Sequence, residues 1–282
     1  MGKTKIEWCD YTFNPWIGCT KISTGCQHCY AEPTALRRKW VKKWGADYHR
    51  TAPDNWKNPL RWAKAAVAAG KIVRIFCLSL GDVFDPKVPV EWRDDLWKLI
   101  IETGKIGGVE WLLLTKRPEH ITRCVPRMID RMANVRIGVT CENQEMADAR
   151  LPVLLDAWHG KNFISIEPML SEINLSRYTE TATEKRDKID AAYWCFYRQA
   201  RGKPPSIVVP EAYWHVIDWV VAGCESGPGA RGCNAFWLRN LRDQCQRAGI
   251  PFMLKQARTN HGALIKRPLL DGRQWLEFPK AG

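Results

Sequence analysis

Cys19, Cys26 and Cys29 lie in the stretch CTKISTGCQHCY at the spacing C-x6-C-x2-C. Cys26 and Cys29, with two residues between them, can reach one metal centre, and Gly18 and Gly25 give the loop the backbone freedom to wrap it. Three thiolates leave two chemistries open. With Cys9 or His28 as a fourth ligand they form a closed tetrahedral zinc site of structural type. Without a fourth ligand one metal corner stays open, as in a cubane iron–sulfur cluster held by three cysteines. Buried core thiols are the plainer alternative, but core cysteines rarely cluster at chelating intervals in a glycine-rich loop.

The elements that position this loop read as an alternating β/α chain. Seven strands are expected: Thr12 to Trp16, Arg74 to Ser79, Glu110 to Thr115, Val135 to Thr140, Asn162 to Glu167, Trp219 to Gly223 and Pro251 to Lys255. Runs such as IFCLSL, VEWLLLT, VRIGVT and DWVVAG are continuously apolar, as in parallel strands covered on both faces. Helices are expected over Pro59 to Ala69, Val90 to Thr103 and Phe236 to Ala248, the last stopped by Gly249. The fold class is therefore α/β, a partial or near-complete (β/α) barrel of parallel strands. Functional groups of such a barrel gather at the carboxyl ends of its strands. Polar residues stand there: Ser79, Gly81 and Asp82; Thr115, Lys116 and Arg117; Thr140, Glu142 and Asn143; Glu167; Glu225 and Ser226; Lys255 and Gln256. Cys141 and Cys224 also follow strands, where a thiol facing the cavity can donate a hydrogen atom or bind a second metal. Cys141, Glu167 and Lys255 are the expected catalytic groups, and a structural Glu167–Lys255 pair is the alternative. The stretch GCESGPGAR is rich in backbone amides that can cradle a carboxylate or phosphate near Glu225 and Ser226, or simply make a tight turn. No P-loop, G-x-G-x-x-G, G-x-S-x-G or H-E-x-x-H motif occurs.

The 282 residues are 45% hydrophobic and 26% charged, enough for one large core and poor in the signs of disorder. One domain over residues 1–282 is expected, with a basic segment at 33–74 and an insertion at 176–215 that could serve as a lid or partner surface. No apolar run is long enough to span a membrane. The first residues carry no secretory-type apolar stretch, and an odd eleven cysteines argue against a disulfide framework, so a reducing cytoplasm is expected. The net charge of +13 favours an anionic partner. From Pro33 to Arg74 eleven basic residues face two acids, interleaved with Trp40, Trp44, Tyr48, Trp56 and Trp62. Cations for phosphates and rings for bases suit a nucleic acid, contacted through Arg37, Arg38, Lys39, Trp40, Lys42, Lys43 and Trp44. An amphipathic pair of helices with Trp inward and Lys or Arg outward is the competing reading.

The cysteine loop, with the stretches IEWCDYTFNPWIGCTKISTGCQHCYAE, SLGDVFD, WLLLTKRPEHI, VRIGVTCENQEMADARLP, FISIEPML, VVAGCESGPGAR and RDQCQRAGIPFMLKQ, resembles radical S-adenosylmethionine (SAM) enzymes. More narrowly it is similar to a phage and prophage family of three-cysteine-motif radical-SAM-like proteins. The cysteine spacing departs from the commoner C-x3-C-x2-C. The resemblance implies a [4Fe–4S] cluster on Cys19, Cys26 and Cys29 whose open iron chelates SAM. It implies Gly81 and Asp82 near the methionine amine, and Thr140, Glu142 and Asn143 near the ribose hydroxyls. Glu167 would receive the SAM amino group or orient the substrate. The implied partners are an electron-donating reductase and a nucleic acid or nucleotide substrate, phage DNA being the expected one. Two further readings stay open: a zinc-stabilised, non-catalytic nucleic-acid-binding protein, and a radical SAM enzyme acting on a protein through the 176–215 insertion.

Overall fold

The computed structural model describes residues 4–129, 132–178, 217–227, 229–259 and 261–279. The insertion expected at 176–215 lies outside the described residues except for its first three. In chain order the elements are β1 (Tyr11–Thr12), β2 (Trp16–Ile17), α1 (Ala31–Arg37), β3 (His49–Arg50), α2 (Pro53–Trp56), α3 (Asn58–Ala68) and β4 (Val73–Cys77). There follow α4 (Val90–Ile106), β5 (Val109–Thr115), α5 (Ile121–Cys124), β6 (Val135–Thr140), α6 (Gln144–Ala157) and β7 (Lys161–Ile166). The last are β8 (Val220–Gly223), α7 (Ala235–Arg247), β9 (Phe252–Arg258), β10 (Leu264–Lys266), β11 (Leu269–Leu270) and β12 (Arg273–Gln274).

The main sheet has eight strands in the order β1-β4-β5-β6-β7-β8-β9-β10. Every pairing from β1 to β9 is parallel, and β10 joins β9 antiparallel. Among the described residues no pairing joins β1 to β10, so the barrel is partial. The expected α/β fold class is the one the chain adopts.

Strand alternation divides the residues between two cores. Ile75, Trp111, Leu113, Ile137, Val139, Ile164, Val220 and Phe252 face the helices in a large outer cluster. Phe76, Leu112, Phe163, Trp219, Val221 and Met253 face inward around Trp8. The Trp8 ring lies 4.4 Å from Phe76, 5.7 Å from Phe163 and 6.2 Å from Trp219, centroid to centroid, so one side chain touches widely separated parts of the curled sheet. Burial on both faces explains the unbroken apolar runs. Nearer the amino ends of the strands, Glu110 accepts from Arg74 Nε and Arg136 Nε, each at 3.1 Å, and Arg136 Nη1 reaches Asp218 at 3.1 Å. The interior therefore stacks an ionic layer, an aromatic layer and, at the carboxyl ends, an open space.

Gly138 in β6 marks the tightest point of the aromatic layer, where a Cβ would stand 2.4 Å from the Phe163 ring. Overpacking of this kind costs about 1–3 kcal/mol. Gly138→Ala should lose stability of that order in urea unfolding, and Gly138→Ala combined with Phe163→Leu should regain part of it; strictly additive losses would contradict the contact.

Candidate active site

A cavity opens at the carboxyl ends of the parallel strands, where (β/α) barrels carry their chemistry. Trp8, Phe76, Leu78 and Leu114 form its floor, and Lys116, Thr140, Ser165, Glu167, Lys255, Cys224, Glu225 and Ser226 line its walls. Cys19, Gly25, Cys26, His28, Cys29 and Tyr30 close it from above, and Trp44 stands at its rim.

The roof is one loop held down at three points, each ending in a buried carboxylate. Past β4, Asp85 Oδ2 accepts from the Thr20 amide and hydroxyl, both at 2.8 Å, and from the Tyr48 hydroxyl at 2.9 Å. Past β6, Glu142 Oε1 accepts from the Gly25 amide at 3.1 Å, while Arg150 Nη1 donates to its Oε2 at 2.7 Å. Past β8, Glu225 binds the Arg231 guanidinium, which donates to the Thr24 carbonyl at 2.9 Å. From the end of β5, Arg117 adds a fourth tie, donating to the Thr20 carbonyl at 2.6 Å and to Asp82 at 2.9 Å, with Nη1 3.7 Å from Cys19 Sγ. Glycine is required where the loop starts: Gly18 has φ +130°, and a Cβ there would stand 2.8 Å from the Asp47 carbonyl oxygen.

These ties settle the environment of several groups. Burial alone would raise the Glu142 carboxyl, but Arg150, Ser23 and Lys116 outweigh it and hold the group below the usual carboxylate range. Burial likewise opposes ionisation of Asp85 and Glu225, yet hydrogen bonds from Thr20 and Lys87, and from Arg231, leave both lowered. Burial and the nearby Asp82 push the Cys19 thiol well above its ordinary value against the pull of Arg117.

Of the residues singled out in the sequence, Cys19, Cys26, Cys29, Gly81, Asp82, Thr140, Glu167, Lys255, Glu225 and Ser226 come together around the cavity. Glu167 and Lys255 form the ion pair that was the structural alternative for them. Three residues stand elsewhere or are otherwise engaged. Glu142 is fully buried and joins the loop to Arg150. Asn143 caps α6, its side chain accepting from the Met146 amide at 2.8 Å. Cys141 is fully buried among the outer-core residues, because strand alternation turns it away from its inward neighbour Thr140. Cys224 does line the cavity, and burial pushes its thiol up to about 11. Asp82 lines the cavity with its carboxylate taken by Thr115, Arg117 and the Phe84 and Lys116 amides. The arginine ending the GCESGPGAR stretch finds its carboxylate within the protein, in Glu225. Trp8 and Ser165 also line the cavity without any sequence signal of their own, Ser165 standing beside Thr140 in the β6–β7 register, while Tyr30 directly follows Cys29 in the cysteine loop.

The basic segment divides between packing and exposure. Trp62 stacks on Tyr11 with centroids 4.3 Å apart, and Trp56 lies edge-on to Phe13 beneath Arg50. Trp40 packs against Ile17, Ala35 and Val41 with Arg38 over its ring. The inward packing of rings thus holds for most of the segment, while Trp44 reaches the cavity. Arg37, Arg38, Lys39, Lys42 and Lys43 are exposed.

Cys19, Cys26 and Cys29 are unbridged and share one cavity, which suits a metal cluster taking three thiolates. Among the described residues no three His, Cys, Asp or Glu side chains already converge as a metal-ligating set. Cys19 Sγ lies 3.4 Å from the Thr20 carbonyl oxygen and Cys26 Sγ 3.9 Å from the Ser23 hydroxyl, both contacts within the loop itself. Cys9 is outside the lining, its thiol directed at the Ile6 carbonyl at 3.9 Å and raised to about 12 by burial and Asp10. The His28 ring lies beside Gly229, where a Cβ would stand 3.4 Å from Nδ1.

Fold and site together define a partial (β/α) barrel with a cysteine-loop roof over a strand-end cavity. The chain belongs to the family described as protein of unknown function (DUF5131), which matches residues 3–279. No curated protein matches it. Among solved structures it is similar to a spore photoproduct lyase mutant with bound AdoMet and dinucleoside spore photoproduct, at 14% identity and TM-score 0.44, over 85% of this chain and 62% of that one. It is also similar to spore photoproduct lyase complexed with dinucleoside spore photoproduct, at 12% identity and TM-score 0.46, over 85% and 73% of the two chains. The chain thus spans less than two thirds of the first of these proteins. No described helix is long and apolar enough to cross a membrane.

A carboxylate with a depressed folded-state pKa gives stability that is present above its unfolded value, about 4.3 for Glu, and lost as pH falls through the folded value. Glu142→Gln should therefore lose about 3–5 kcal/mol near neutral pH, the cost of breaking a buried pair. It should also flatten the acid limb of the stability profile below about pH 4.3. Denaturant unfolding across pH measures both, and an unchanged acid limb would contradict the assignment.

Proposed function

We propose that this protein is a radical SAM enzyme in which Cys19, Cys26 and Cys29 hold a [4Fe–4S] cluster, and that it modifies the base of a nucleotide or nucleic acid. The observation carrying this reading is that the three unbridged cysteines and the polar ends of β5 to β9 line one cavity. When bound, the cluster supplies the electron that cleaves SAM to methionine and a 5′-deoxyadenosyl radical, which abstracts a substrate hydrogen.

The chain's own residues do the rest. Trp8, Phe76, Leu78 and Leu114 give the cavity an apolar floor that excludes water from reactive carbon centres. The Lys116 ammonium lies 3.5 Å from the Thr140 hydroxyl and is free to meet an anionic group. Thr140, Ser165 and Ser226 offer hydroxyls for ribose or base edges. Glu167 and Lys255 neutralise each other, presenting an acceptor and a donor without net charge. Burial pushes the Cys224 thiol up and favours the neutral form that can return a hydrogen atom, so of the two thiols expected at the cavity it is Cys224 that serves. An electron-donating reductase in a reducing cytoplasm completes the reading.

Anaerobic reconstitution followed by metal analysis and chromatography for 5′-deoxyadenosine tests it. Wild type should take about four irons per chain and release 5′-deoxyadenosine with SAM and reductant. Cys19→Ala, Cys26→Ala and Cys29→Ala should each abolish both, and Cys9→Ala neither. A single zinc released by Cys9→Ala would instead mark a closed structural site and overturn the proposal.

A further inference from the structure

The cavity holds little free positive charge. Arg117 pairs with Asp82 and Asp85, and Lys255 with Glu167; at its edge Arg231 pairs with Glu225. Among the described residues Lys116 is the cavity-lining lysine or arginine with no carboxylate in ion-pair contact, its charge reaching Glu142 only at longer range. The cavity therefore offers one unpaired lysine to an anionic group.

Uncompensated charge lies instead just outside. Arg37, Arg38, Lys39, Lys42 and Lys43 place five cations within seven residues, all exposed, with no ion pair among the described residues. The neighbouring acids are engaged: Glu32 pairs with Lys21 at 2.5 Å, and Asp47 Oδ2 accepts the Lys42 and Lys43 amides at 3.1 and 2.9 Å. Those amide bonds tie down the backbone while leaving both lysine side chains free. The segment lies directly on the cysteine loop, since a Cβ on Gly45 would stand 3.6 Å from the Cys19 carbonyl oxygen. Between Lys43 and Gly45, Trp44 packs one part of its surface against Ile17, Ala35 and Val41 and lines the cavity with another. Along the chain the exposed cations thus lead directly to Trp44, which lines the cavity.

We infer that residues 37–44 form a track for single-stranded nucleic acid, which holds phosphates on the five cations and passes one base by Trp44 into the cavity. The inference rests on the nucleobase reading above and selects a strand over a free nucleotide. A single strand is favoured over a duplex because the reacting base must enter a cavity recessed within the strand ends, and a paired base must first leave its stack. Cations that follow the backbone beside an aromatic ring are the means by which single strands are held without sequence preference.

The test is fluorescence anisotropy of the reconstituted protein with labelled dodecamers of single-stranded DNA and RNA, the DNA duplex, a mononucleotide and poly-glutamate, over about 50–200 mM salt. At least one single strand should bind at least about tenfold more tightly than duplex, mononucleotide or poly-glutamate, and the tighter of DNA and RNA names the source. Each phosphate contact contributes a slope of about −0.7 to the logarithmic salt dependence for single strands, so Lys42→Gln with Lys43→Gln should reduce it by about 1.4. Mononucleotide binding should be unchanged in that variant. Trp44→Leu, shown to be folded by its unfolding midpoint, should weaken strand binding about tenfold. Equal binding of strand and mononucleotide, tighter binding of duplex or poly-glutamate, or an unaltered salt slope in the double variant would overturn the track. Strand binding by protein that takes up no iron would refute the radical chemistry and leave the track standing. Iron-loaded, SAM-cleaving protein without strand preference would refute the track alone.

Discussion

The cysteine loop has no regular strand or long helix to hold it, so its position over the cavity depends on the buried carboxylates beneath it. Asp85, Glu142 and Glu225 follow β4, β6 and β8 and reach Thr20, Gly25 and, through Arg231, Thr24. Removing three carboxylates from water is costly, and well-packed apolar residues often stabilise a protein at least as well. What apolar packing cannot supply is directed acceptance from particular amides and hydroxyls. The arrangement makes sense as positioning: the sheet fixes the acids, the acids fix the loop, and the loop brings three cysteines to one space.

The inside of the barrel has the same division of labour. The ionic layer of Arg74, Glu110, Arg136 and Asp218 and the aromatic layer around Trp8 occupy the lower interior. The cysteines lie over a cavity at the carboxyl ends, and a second cavity borders Trp8, Arg74 and Met253. Gly138 shows how closely the filling is matched, because the Phe163 ring occupies the place of its missing side chain.

Much of this was legible in the sequence because continuous apolar runs and strand-end polarity are local signals. The strands over Val135–Thr140 and Val109–Thr115 fall within one residue of expectation, and Gly249 has the positive φ of +66° expected beyond α7. The short β10, β11 and β12 carry no such signal, because two or three residues are too few to make a run. At the site, sequence could gather the cysteines and the strand ends but could not separate carboxylates facing a ligand from those facing the protein. Glu142 follows an apolar strand just as Glu167 does; its difference lies in Arg150, brought beside it from one face of α6. Cys141 and Cys224 also looked alike, and strand alternation sent one to the outer core and the other to the cavity. Nor could composition tell that Trp56 and Trp62 pack inward while Trp44 reaches the rim.

The central claim is that the pinned loop presents three thiolates to a cluster with one iron left open to SAM. Electron paramagnetic resonance of the anaerobically reconstituted, reduced protein, recorded with and without SAM, addresses it most directly. The account predicts a cubane signal whose shape shifts when SAM is added, as the open iron gains ligands. A cubane signal indifferent to SAM, or a protein that stays colourless and silent after reconstitution, would contradict it.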